Sequence, residues 1–225
     1  MGHEIIHRGV VEVAGISFNG NTLIMTWITM AIVILIAFLA TRNLKLIPSG
    51  CQNVVEIVVT WLHEQMDNNM GVANRWLAPF IVTLFMFIWV SNMLGLIPEM
   101  QSPTNDLNTT LGLALTVVAL VHILGLYKKG GHYIAHFFQP FIPFVVIHVI
   151  EEFAKPITLS FRLFGNILAG EILIHILLQL VPIWMPVPSV VWLMFSIFIG
   201  TVQSVIFTML SIAYLSSSVK TEEAH

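Results

Sequence analysis

Charged side chains are scarce in this sequence. Asp, Glu, Lys and Arg make up 9% of its 225 residues, against about 25% in a typical soluble domain. That shortage excludes an ordinary solvated surface, because so few charges cannot cover a globular protein of this length. A formal net charge of -3 likewise provides no basic excess for nucleic acid and none for acidic substrates. Cysteine is nearly absent: with Cys51 alone, the chain has no internal disulfide framework and no thiolate metal site. The redox compartment is therefore left open. A cleavable leader is not expected, since Glu4 and Glu12 dilute any basic start and the first apolar run is too long for a signal core. Ile6 stands where a myristoylation motif carries Ser or Thr.

What fills the chain instead is apolar, at 57% of residues. About 20 such residues cross a hydrocarbon core as a helix. Residues 22–40 form a first span, ended by Arg42, Lys45 and the break at Pro48. Spans at 76–96 and 107–127 follow, the first closed by "GLIPE" and the second by "KKGG". Residues 52–69 differ. Val54, Val55, Val58, Leu62 and Met66 recur at helical spacing, while Glu56, Glu64 and Asp67 interrupt them. That pattern predicts an amphipathic helix lying at the membrane interface. A last span occupies 190–215.

The block 134–181 is anomalous, because only Pro140, Pro143, Pro156 and Gly165 interrupt it. At about 1.5 Å per residue it would measure roughly 70 Å, more than twice a hydrocarbon core of about 30 Å. Basic residues bear on how it crosses. Arg42, Lys45, Arg75, Lys128 and Lys129 fall on one side of the first three spans, whereas the loop of residues 98–106 holds Glu99 and Asp106 and no Lys or Arg. The positive-inside rule then places the N-terminus outside and, through Lys220, the C-terminus inside. An even number of crossings between Lys128 and Lys220 requires 134–181 to cross once, strongly tilted. The alternative is two ordinary spans split near Pro156, with the C-terminus outside. The expected fold is thus an all-α, polytopic membrane protein in a single integral domain, 1–225. It has about five membrane-crossing helices, one interfacial amphipathic helix, and a long strongly tilted helical hairpin at the C-terminal end.

Polar residues inside the spans carry the functional reading. On a helix advancing about 100° per residue, Glu151, Lys155, Arg162 and Asn166 share a stripe. Glu171 and His175 fall on the opposite side, one turn apart from each other. Gln203 stands in a second stripe with Ser196, Gly200, Ser204, Thr208 and Ser211, where small residues also serve close helix packing. Several candidates have simpler explanations. "HEQMD" at His63 ends in Asp67, where a zinc helix needs a second histidine, and His132 and His136 sit beside "KKGG" as interfacial residues. Neither supports a metal site, and no cofactor is expected. His122 and His148, alone in apolar runs, are read as bonded to backbone carbonyls. Asp106 is a natural helix N-cap, and Glu151 with Lys155 forms an i,i+4 pair. Arg162 has no such explanation. Its guanidinium cannot lose its proton, and at a bilayer centre it costs at least roughly 2.5–3.5 kcal/mol. It needs water or a counter-charge, and the nearest carboxylate on its own face is Glu151, three turns away. The partner is expected on another molecule.

"LSFRLFGNILAGE" closely resembles the signature of subunit a of the F-type ATP synthase membrane sector, and "SNMLGLIPE", "PTNDLNTTLGLAL" and "GTVQSVIF" resemble that family's other segments in order. The resemblance runs from about residue 76 to the end. It implies an ion-translocating stator subunit that is itself non-catalytic. Its expected partners are a c-subunit ring, peripheral-stalk b subunits, the other ATP synthase subunits and the lipid bilayer. The expected location is an energy-transducing membrane, the bacterial inner membrane. It further implies that Arg162 separates two half-channels and meets the ring together with Asn166 and Gln203. Glu171 and Asp106 would line the outer half-channel. Where many relatives carry a histidine facing that glutamate, Ser196 stands here, and His175 is expected to take over its role. The alternative from another class is a secondary transporter binding an anionic solute through Arg162, although no internal repeat supports it. Whether the coupling ion is a proton or sodium is not legible here, because selectivity belongs largely to the ring.

Overall fold

Long runs of Leu, Ile, Val, Phe and Ala without breakers satisfy every backbone donor inside one segment, as a bilayer requires. A computed structural model of the chain describes residues 10–13, 16–42, 44–45, 47–48, 50–97, 100–130, 144–180 and 187–219. A small antiparallel hairpin comes first, Val10–Val13 against Ile16–Asn19, with Val10 opposite Asn19. Among the described residues every regular element after it is helical: α1 Gly20–Thr41, α2 Cys51–Met70, α3 Ala78–Leu94, α4 Leu107–Lys129, α5 Phe144–Leu180 and α6 Val187–Val219. Short 3-10 turns at Val72–Leu77 and Pro103–Asn105 lead into α3 and α4. Five of these stretches are long and apolar enough to cross a membrane: Gly20–Thr41, Val72–Leu94, Leu107–Lys129, Val145–Ile174 and Val187–Val219. The chain is a polytopic, all-α membrane protein. The hairpin is a minor addition that the helical periodicities did not announce.

α2 is not among the five. It buries Leu62, Met66 and Met70 and leaves Val54 and Ile57 exposed. Gly71, at φ 77°, turns the chain from α2 into the next turn, a conformation that residues with a Cβ rarely adopt. Arg75 clamps that corner with two bonds to Asp67, Nη2 to Oδ2 at 2.6 Å and Nε to Oδ1 at 3.0 Å. Hydrogen bonding from Arg75 holds the Asp67 carboxyl below the ordinary carboxylate range. Its contribution is therefore present at neutral pH and lost as acid protonates the folded carboxylate.

α3, α4 and α6 supply most of the core. Ile81, Phe85, Val121, Ile212 and Leu215 pack with Leu62 of α2 at one level, and Leu84, Ile88, Val117 and Phe207 pack with Leu159 and Leu163 of α5 at another. Ser204, Thr208 and Ser211 of α6 are fully buried. Their hydroxyls donate to carbonyls three or four residues back in the same helix. These three small residues of that stripe therefore serve helix packing, as in other membrane bundles.

α5 runs unbroken through Pro156. At 37 residues its length is about 55 Å, well beyond a single perpendicular crossing of about 30 Å. Residues 134–143 and 181, at the ends of the expected long helix, lie outside the described residues, as do Glu99 and Lys220. Side-chain contacts tie the helix ends into two groups. Asn19 Nδ2 donates to Asp106 Oδ2 at 2.9 Å, joining the starts of α1 and α4. At the other end, Lys128 Nζ donates to Asn74 Oδ1 at 2.6 Å and Lys129 Nζ to the Ser217 carbonyl at 3.0 Å. Ser216 Oγ also reaches the Asn69 carbonyl at 2.6 Å. The ends of α4 and α6 thus lie side by side, and α5 with α6 runs out and back between them.

Candidate functional site

Arg162 sits on an exposed stretch of α5, immediately before the fully buried Leu163. Among the described residues it has no ion-pair partner. One turn later, Asn166 Nδ2 donates to Gln203 Oε1 on α6 at 2.8 Å. Gln203 is 3% exposed, and its Nε2 is buried with no hydrogen-bond partner among the described residues. The two amides sew α5 to α6 beside the arginine. Gly170 and Trp192 do so again, through Trp192 Nε1 donating to the Gly170 carbonyl at 3.3 Å. The residue numbers fall on one helix as they rise on the other, so the pair is antiparallel.

Glu171 faces a different neighbour. Its Oε1 accepts from the Ser102 backbone N–H at 3.1 Å, and its Oε2 accepts from the Asn105 side-chain amide. The carboxylate therefore rests on the turn between α3 and α4. A cavity of about 520 Å³ opens beside it, lined by Asn92, Gly95, Asn166, Trp192 and Ser196 as well as Glu171. Ser196 and Glu171 share that space. Asp106 lies at the next position of the turn, where Oδ1 caps α4 by accepting from the Asn108 N–H at 2.9 Å and Oδ2 accepts from Asn19. The helix-cap reading of Asp106 thus holds, one position beyond the Asn105 amide that reaches Glu171. The His175 side chain lies outside the described residues.

A third polar group sits about two turns before Arg162 on α5. Lys155 Nζ is 2.6 Å from Glu152 Oε1 and 3.6 Å from Glu151 Oε1, so its nearer partner is the i,i+3 glutamate, not the i,i+4 one. His122 Nε2 of α4 lies 3.7 Å from Glu152 Oε2. That carboxylate contact was not anticipated for a histidine alone in an apolar run. Lys155 also lies over the Tyr214 ring, 5.8 Å from its centroid. Among the described residues no cluster of His, Cys, Asp and Glu could hold a metal.

Sequence reasoning missed the residues that hold the turn. Ser102 Oγ donates to the Ser91 carbonyl at 2.8 Å. Thr104 Oγ1 donates to Asn92 Oδ1 at 3.0 Å, and Asn92 Nδ2 donates to the Gly200 carbonyl of α6 at 2.9 Å. Asn92, Ser102 and Thr104 are all buried. The signal available was the set of polar residues in "SNMLGL" and "SPTND", the first of them inside an apolar span. Asn92→Leu keeps the branched outline of the side chain and removes both bonds, so the solubilised protein should lose roughly 1–3 kcal/mol of stability. Thermal unfolding followed with and without the substitution measures this, and an unchanged midpoint would contradict the role.

A family model described as ATP synthase A chain matches residues 23–216. The chain is 49% identical over 222 residues to a protein named ATP synthase subunit a from Desulforamulus reducens, covering 95% of this chain and 85% of that one. It is 38% identical over 218 residues to the protein of the same name from Moorella thermoacetica, covering 96% of this chain and 95% of that one.

Proposed function

Because the chain belongs to the ATP synthase A chain family, we propose that α5 and α6 form the stator face against which a ring of carboxylate-bearing c subunits turns, with Arg162 as the fixed charge between two aqueous half-channels. As a multi-pass subunit of the ATP synthase membrane sector, in an energy-transducing membrane, the chain conducts ions and catalyses no bond chemistry itself. The observation that carries the finer reading is Arg162, a permanent cation on the open face of α5 without an ion-pair partner among the described residues. An intramembrane charge needs a counter-charge or water, and a ring carboxylate passing α5 provides the first.

The mechanism follows from that charge. Arg162 keeps the passing carboxylate ionised, so its ion leaves to one half-channel and another is taken up from the second. Each neutralised carboxylate then travels through lipid. An ion pair at about 4 Å with an effective dielectric near 20 gains about 4 kcal/mol before desolvation. The membrane potential supplies about 2.3 kcal/mol per charge per 100 mV, the same order as the pair's gain, which desolvation reduces further. Asn166 and Gln203 hold α5 and α6 together beside the arginine. Glu171, Asp106 and His175 line the outer half-channel, and Ser196 shares the cavity beside Glu171. Peripheral-stalk b subunits keep the chain from turning with the ring. The location is the bacterial inner membrane, N-terminus outside and C-terminus cytoplasmic.

Gentle solubilisation should bring the chain down within a multi-subunit ATPase. Tags after Gly2 and after His225 should report from opposite faces of the membrane. A chain that purifies alone and takes up an anionic solute would replace this reading by the secondary transporter. Both tags on one face would overturn the orientation.

A further inference from the structure

The carboxylate of Glu171 does not hang freely in the cavity. It is held from two directions by one short turn, through the Ser102 N–H and the Asn105 amide. The first contact is a backbone donor that any residue at 102 other than proline would supply. The second depends on the identity of residue 105. Asn105 is also unusual in itself. Its Nδ2 is committed to Glu171, while its Oδ1 is buried with no hydrogen-bond partner among the described residues. A buried carbonyl oxygen left in that state is costly, so what the amide contributes at this position is the donor it gives to Glu171. The next residue, Asp106, reaches Asn19 at the end of the bundle where α1 and α4 begin. Asn105 is therefore the link in the chain between the bundle end and the Glu171 cavity.

We propose that Asn105 is a positioning residue for ion transport, its side-chain amide fixing the Glu171 carboxylate against the turn. The proposal rests on the reading that Glu171 lines an ion route. An amide suits this position because it donates to the carboxylate without adding a second negative charge. The turn that carries it is itself anchored: Ser102 to α3, and Thr104 through Asn92 to α6. Asn105 is thus presented on a rigid support, which a positioning group needs.

The test uses membrane vesicles carrying the assembled ATP synthase and follows ATP-driven ion uptake. Asn105→Ala should slow uptake roughly three- to tenfold, the scale of one hydrogen bond's net worth. In a Glu171→Gln background the same substitution should change the rate less than about twofold, because groups that act through one contact are not additive. The exchange Asn105→Asp with Glu171→Gln returns one carboxylate and one amide to the pair, and should recover at least about threefold over Glu171→Gln alone. If Asn105→Ala prevents assembly, this exchange decides. Equal slowing in both backgrounds, no slowing in the parent protein, or no recovery in the exchange overturns the role of Asn105 alone. A Glu171→Gln protein that transports normally overturns the route itself.

Discussion

Arg162→Ala should abolish ion-driven ATP synthesis in a complex that still assembles. Assembly survives because the side chain is exposed on α5 and, among the described residues, makes no ion pair whose loss the fold would feel. Exposed side chains away from such contacts change stability by only about ±0.5 kcal/mol. Function fails for a separate reason. In the proposed mechanism, without a fixed cation a ring carboxylate reaching α5 has nothing to hold it ionised, and nothing bars an ion from passing directly between the two half-channels. Arg162→Lys restores the charge and should still fail badly. An ammonium loses its proton far more readily when desolvated and lacks the planar fork that engages a carboxylate through two bonds. The measurement is ATP synthesis driven by an imposed ion gradient, with co-purification as the assembly control. Near-normal synthesis in either variant removes Arg162 from the role proposed for it.

How far the sequence reaches toward this picture differs from element to element. The five long helices are legible because each is a breaker-poor apolar run, and α4 is marked at both ends, by the Asp106 cap and by Lys128 and Lys129 in its last turn. Pro156 is ambiguous from sequence, because a proline inside an apolar run marks either a break or a tolerated interior position. Packing of Leu159 and Leu163 just beyond it, in the same core as Ile88 and Phe207, accompanies a continuous helix. The helical wheel places Asn166 and Glu171 on different faces, but a wheel names faces and not neighbours. That Asn166 meets Gln203, 37 residues on, and that Glu171 meets Ser102, 69 residues back, depends on how helices pack. The same limit explains why His122 looked self-contained. Its carboxylate neighbour, Glu152, belongs to another helix.

Gly95 is the sharpest instance, and substituting it should have the second-largest effect. Its backbone is ordinary, with φ -66° and ψ -11° at the end of α3, so local conformation gives no reason for glycine. The reason lies across the turn. A Cβ at position 95 would lie 2.7 Å from Ser102 Cβ, 3.4 Å from Ser102 Cα and 3.0 Å from Glu171 Oε1. Carbon atoms cannot approach to the first of these distances, and Ser102 cannot yield as a flexible side chain would, because its own Cα is behind the clash. The turn must move, and with it the N–H that holds Glu171 and the hydroxyl bonded to the Ser91 carbonyl. Overpacking of this kind typically costs about 1–3 kcal/mol, and here it falls on the contact that holds the carboxylate proposed to line the ion route. Gly95→Ala should therefore slow ATP-driven ion uptake by about tenfold or more, and Gly95→Val further still, with a lowered unfolding temperature in both. Gly200→Ala serves as the comparison, since a Cβ there meets Asn92 Cβ and Met93 Cε at 3.3 Å, a pinch of a few tenths of an ångström rather than an overlap. The order expected is Gly200→Ala mildest, Gly95→Ala severe and Gly95→Val worst. A Gly95→Ala protein with normal uptake and normal thermal stability would show that the turn carrying Glu171 is free to move, and that the carboxylate does not need it in place.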